Sequence, residues 1–218
     1  MESYRTIKIG KIKTSKTELV DIVKAWVVLS LAFALVLSGV RLLNLPSISN
    51  LFSINFLMSF GISLLTVGIG FLFHELAHKF TAQYYGCMAE FRADNKMLYL
   101  ALGLAALVGF IFAAPGAVMI AGRVTHKENG IISLAGPLTN FVLGVIFLGL
   151  SFLILYWSSI LFFGFTINMV LGLFNLIPLG PLDGKKILLW NRYVWLTTVC
   201  VGVFLSWYFK ICIFGLFC

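Results

Sequence analysis

Between Leu51 and Phe73 the chain carries no ionisable side chain, and the first to follow are His74 and Glu75. A continuous helix from Leu51 to His78 would rise roughly 40 Å, against a bilayer hydrocarbon core of about 30 Å. A run of that kind is at home in lipid, and it places the two ionisable residues near the far edge of the membrane. Apolar runs recur at about 21–43, 97–122, 130–156, 159–177 and from Tyr193 onward. Only 11% of the 218 residues are charged, whereas about a quarter of a soluble domain is. The chain therefore reads as an all-α polytopic membrane protein, a bundle of about five to six transmembrane helices.

The net charge of +8 does not indicate nucleic acid. The basic residues sit in short clusters at the ends of apolar runs, as the positive-inside bias requires, and no aromatic residues interleave them on a polar face. The lipid bilayer is the partner they fit. Residues 1–19, with Lys8, Lys11, Lys13 and Lys16, read as a basic cytoplasmic tail before an uncleaved first span. Cys87, Cys200, Cys212 and Cys218 form no CxxC pair and read as small buried hydrophobes.

One domain over 1–218 is expected, with its core at 51–190 and a C-terminal membrane segment at 193–218. If residues 97–122 crossed the membrane, Arg123, Lys127, Lys185 and Lys186 would all lie outside and Asp183 would face away from His74 and His78. Charge bias therefore predicts a re-entrant segment, sheltered by protein or by a water-filled cavity. It also places the N-terminus and the opening of the site on the cytoplasmic side of a cell membrane.

His74-Glu75-Leu76-Ala77-His78 carries the chemistry. Histidines at i and i+4 share one helix face, close enough to hold one ion. The glutamate beside the first can serve as a base toward an attacking water. A hydrolytic zinc site keeps three protein ligands and one open position. The acids available are Glu2, Glu18 and Asp21 near the N-terminus, Glu90, Asp94 and Glu128 in polar loops, and Asp183. Asp183 alone sits in an apolar neighbourhood at a helix break, where it also suits an N-cap for residues 184–190. His126 is the rival ligand, in a charged loop beside Lys127.

Two other classes share the first motif or its residue types. A peptidase with a cytoplasmic catalytic domain would need a long soluble stretch after His78, and the longest polar stretch is 79–96. A metal transporter would spread ligands over several spans along a pathway.

The pentapeptide is followed by Leu134-Ala135-Gly136-Pro137-Leu138-Thr139-Asn140 and by Asn175-Leu176-Ile177-Pro178-Leu179-Gly180-Pro181-Leu182-Asp183-Gly184. In this order the three resemble the site-2 protease family of intramembrane zinc metalloproteases. The resemblance implies that His74, His78 and Asp183 bind one Zn2+ and that Glu75 is the catalytic base. It implies that Asn140, Asn175 and the break at Pro178 adjoin the substrate, a transmembrane protein cut within or near its span. It also implies a partly β character for the re-entrant segment. Lys185 departs from the pattern, since many relatives have a second glycine there.

Overall fold

The computed structural model describes residues 6–9, 12–111 and 116–209. Lys11, Cys212, Cys218 and Glu2, all named above, lie outside the described residues. The chain divides into two compact units.

The first unit comprises 1–72 and 90–119. Its N-terminal stretch contains two antiparallel strands, β1 (Thr6–Ile9) and β2 (Ile12–Ser15), with Thr6 opposite Ser15. Helix α1 (Lys16–Leu37) starts five residues before the apolar run, because the Ser15 side chain accepts from Glu18 N–H and caps it. At about 33 Å it is long enough to cross a bilayer. Glu18 is fully buried, where it accepts from the Phe91 N–H at 2.9 Å and the Thr14 hydroxyl at 2.7 Å.

After a 3-10 stretch at Leu45–Phe52, α2 (Ile54–Ser63) runs through a π turn (Leu64–Gly68) into α3 (Ile69–Tyr84). Together they make one apolar helix of 31 residues. Trp26 of α1 explains the π turn: its indole N–H donates to the Leu64 carbonyl at 3.0 Å, while its ring lies against Gly68. Strand β3 (Met88–Ala93) leads into α4 (Asn95–Val108), capped by Asp94 and ended by Gly109 at φ +73°. With 14 residues, or about 21 Å, α4 is too short to cross the hydrocarbon core. Strand β4 (Gly116–Ala121) pairs with β3, so the chain returns to where it left. This is the re-entrant, partly β arrangement expected of 97–122.

The second unit comprises 73–89 and 120–218. A capping box of Thr125 and Glu128 opens α5 (His126–Leu153). A 3-10 turn at Leu155–Trp157 reverses the chain into α6 (Ser158–Asn175). The two helices pack closely because Gly144 faces Met169, Gly164 faces Phe147 and Gly172 faces Phe141. Pro178 and Pro181 then prevent α6 from continuing, and Gly180 takes φ +54°. Helix α7 (Asp183–Trp190) follows, then α8 (Arg192–Tyr208), capped by Asn191. Phe141, Leu148, Phe165, Met169, Leu176 and Ile187 form the core.

Among the described residues four helices are long and apolar enough to span a membrane: 16–37, 54–84, 126–153 and 155–175. Helix α8, with 17 residues, is a little shorter. Cys87 is buried as expected, but Cys200 is exposed on α8. Glu18→Ala removes the acceptor for the buried Phe91 N–H and should destabilise the protein by about 1–3 kcal/mol. The thermal midpoint in detergent checks this, and the expected outcome is a clear fall.

Candidate metal centre

All the atoms of the centre belong to the second unit. His74 and His78 lie one turn apart on α3, both buried, with ring centroids 4.6 Å apart and planes crossed at 86°. Asp183, the first residue of α7, is buried opposite them. Its Oδ2 lies 3.2 Å from His74 Nε2 and 3.1 Å from His78 Nε2, and the two Nε2 atoms are 3.0 Å apart. Among the described residues, these three form the group able to hold a metal ion.

Hydrogen bonds on the far side of each ring decide what these atoms are. His78 Nδ1 meets the Ile132 carbonyl at 2.7 Å, which can only accept, so Nδ1 carries a proton and, in the neutral ring, Nε2 holds the lone pair. His74 Nδ1 meets Asn140 Oδ1 at 2.5 Å, with the same consequence. Three electron-pair donors thus converge on one point with only a proton or a cation to reconcile them. Tetrahedral zinc at about 2.0–2.1 Å from its ligands would set them about 3.3 Å apart, close to the spacing observed. The donor set of two imidazoles and a carboxylate fits zinc.

Asp183 does not cap α7; no side-chain cap bond is made at that end, and Leu182 takes the N-cap position. Its carboxylate is committed to the histidines instead, which corrects the expectation that both roles coexist. Burial works to raise its pKa, and the charge and hydrogen bonds of His78 and His74 outweigh it, so the carboxyl stays well below the usual carboxylate range. Lys186, one turn on, brings its Nζ to 3.8 Å from Asp183 Oδ1 at the exposed side of the site. Gly184 is needed because a side chain there would run into the Leu176 carbonyl, on which the start of α7 rests.

Gly136 plays the equivalent part on α5. A Cβ at this position would stand 2.5 Å from His78 Nε2 and 2.6 Å from His74 Nε2, so both imidazoles lie directly over its backbone. Sequence alone reads Gly136 as a helix-packing glycine; what it packs against is the centre itself.

The remaining expected residues divide. Asn140 is fully buried and holds His74. Glu75 is half-buried beside His74 on α3. Asn175 closes α6 with its amide donated to the Leu171 carbonyl at 3.0 Å, and Pro178 is half-buried in the break that follows. The rival ligand His126 is exposed, about 15 Å along α5 from Gly136, and is not part of the group. Asn168 on α6, which lies in none of the motifs, is fully buried and bonded to Asn140 at 3.1 Å. Its only sequence signal is an amide in the middle of an apolar helix.

The chain is similar to proteins named as metalloproteases. The model of peptidase family M50 matches residues 152–192, which include the Asn175–Asp183 stretch. Two relatives bear the name "Putative zinc metalloprotease". One, from Methanocaldococcus jannaschii, is 46% identical over 145 residues, covering 64% of this chain and 75% of its own. The other, from Mycolicibacterium smegmatis, is 36% identical over 129 residues, covering 51% of this chain and 49% of its own. A solved structure, a site-2 protease from Methanocaldococcus jannaschii, overlays with a TM-score of 0.43 at 21% identity, over 97% of this chain and 85% of its own.

Gly136→Ala inserts a methyl group between the two imidazoles and the α5 backbone. Zinc affinity, measured by chelator competition, should fall by about 10–100-fold, the range seen when support behind a ligand is lost. The thermal midpoint should change little by comparison.

Proposed function

Because the chain belongs to peptidase family M50 and is an intramembrane zinc metalloprotease, we propose that it cuts a transmembrane protein substrate within or near its span, using His74, His78 and Asp183 to hold the zinc and Glu75 as general base. The observation that carries this reading is the convergence of the Nε2 atoms of His74 and His78 and one carboxylate oxygen of Asp183 within 3.0–3.2 Å.

A bound zinc would supply Lewis acidity toward the scissile carbonyl and the attacking water. Glu75 then takes the proton of that water and passes it to the leaving amine. Glu75 follows His74 directly on α3, one helical position from the first imidazole. His74 and His78, each tied at Nδ1, do not turn as charge develops. Gly136 lets the α5 backbone close the centre from behind. A helical substrate hides its carbonyls in hydrogen bonds and must unwind locally to be cut. The break from Asn175 to Pro181, which cannot remain helical, is where an unwound segment would be held. Asn140 supports the metal side of the site, while Asn175 and Pro178 flank the substrate side.

The whole chain acts in this reading as one membrane-embedded protease domain, in a cell membrane. Basic residues at the start of α1 and around α7 favour a site opening to the cytoplasm. Exposed Lys185 and Lys186 line that opening.

Metal analysis and cleavage of a reporter with one transmembrane segment test the proposal together. The parent should hold close to one zinc per chain. Glu75→Gln should keep the zinc and lose cleavage, by at least about 100-fold. His78→Ala and Asp183→Ala should lose both while remaining folded. Cleavage retained in Glu75→Gln removes the assigned base, and zinc retained in Asp183→Ala removes the third ligand.

A further inference from the structure

Asp183 lies inside a loop of chain whose two ends are joined by a hydrogen bond. On the first turn of α8, the Trp195 indole N–H donates to the Leu176 carbonyl at 2.8 Å. The bond spans 19 positions and encloses the break at 177–182, Asp183 and all of α7. Its acceptor is one of the carbonyls that the end of a helix leaves without a partner inside that helix. Leu176 is buried, and its carbonyl is also the group against which Gly184, the residue after Asp183, is seated.

The two ends of α7 are fixed differently. The far end is held by the fully buried Ile187 and by Trp190, which packs on Gly130 of α5, and Asn191 N–H donates to the Ile187 carbonyl at 2.8 Å. The end that carries Asp183 has no side-chain cap bond. It meets the Leu176 carbonyl instead. The peptide that follows Leu176 is bonded twice: Ile177 N–H donates to the Phe174 carbonyl at 3.1 Å, and Leu176 O accepts from Trp195. The first bond ties that peptide to α6, and the second ties it to the helix beyond α7.

We propose that Trp195 is a positioning residue of the metal centre, which through the Leu176 carbonyl sets where Asp183 Oδ2 stands against His74 and His78. This rests on the zinc reading above. Trp195 lies outside residues 152–192, which the family model matches, and α8 contains none of the three motifs. A buried carbonyl deprived of its donor must turn to find another, and the start of α7 turns with it. The competing role is plain adhesion between α6 and α8, to which the Trp195 ring contributes by packing on the core.

The test uses the full-length protein in detergent, with zinc affinity by chelator competition, the absorption spectrum of the Co2+-loaded form and the thermal midpoint. Trp195→Phe keeps an aromatic ring and removes the donor. It should weaken zinc binding about 3–10-fold, the span that one neutral hydrogen bond contributes, and alter the Co2+ spectrum. Trp26→Phe removes an indole bond of the same kind, to the Leu64 carbonyl in the first unit. That variant should lower the thermal midpoint and leave zinc affinity and the Co2+ spectrum unchanged.

Parent-like affinity and spectrum in folded Trp195→Phe would overturn the proposal, as would equal losses of affinity in the two variants. A fall in thermal midpoint with unchanged affinity would assign Trp195 to adhesion instead. If Trp195→Phe does not fold, a tryptophan analogue with sulfur in place of the ring N–H, placed at position 195 alone, is judged by the same criteria. A parent that holds no zinc would overturn the metal reading and this role with it. Zinc in the parent with an unaffected Trp195→Phe overturns only the positioning role.

Discussion

Three electron-pair donors held 3.0–3.2 Å apart in a buried place are the constraint around which the second unit is built. Such an arrangement repels itself unless a positive charge is shared among its atoms. Each histidine is bonded at Nδ1, on the far side of its ring: His78 to the Ile132 carbonyl and His74 to Asn140 Oδ1. Asp183 is held by its position at the start of α7, where the chain has just turned at two prolines.

Bringing three elements to one point also requires that backbone approach side chain more closely than a Cβ would allow. Gly136 admits both imidazoles to the face of α5, and Gly184 lets α7 begin against the Leu176 carbonyl. Neither needs an unusual backbone angle; the hydrogen side chain alone is what fits. The same logic joins α5 to α6 through Gly144, Gly164 and Gly172, which admit Met169, Phe147 and Phe141 rather than imidazoles. Small residues therefore serve two purposes in one helix pair, and only the neighbour distinguishes them.

Length governs the first unit. Helices of 22 and 31 residues exceed what a bilayer needs, whereas the 14 residues of α4 fall short. Strands β3 and β4, on either side of α4, pair with each other and so satisfy their own backbone groups. The buried carboxylate of Glu18 extends that provision by accepting from Phe91. The π turn bonded by Trp26 interrupts the long helix at Leu64–Gly68.

The membrane character, the places where helices break and the candidates His74, Glu75, His78 and Asp183 were legible in the residues alone, and the structure brings His74, His78 and Asp183 together. Each of these depends on a local property: apolar run length, proline and glycine position, or i, i+4 spacing on one helix. The beginning of α1 escaped that reading by five residues, because Ser15 caps polar sequence into the helix. Tertiary structure decided what has no local signature. It set Asp183 against the histidines instead of on its own helix end, left His126 exposed, and revealed Gly136 as a surface for imidazoles. It also joined Asn168 to Asn140 across two helices. The direction of a hydrogen bond depends on which partner stands opposite, and for residues 28 positions apart the fold alone supplies that partner.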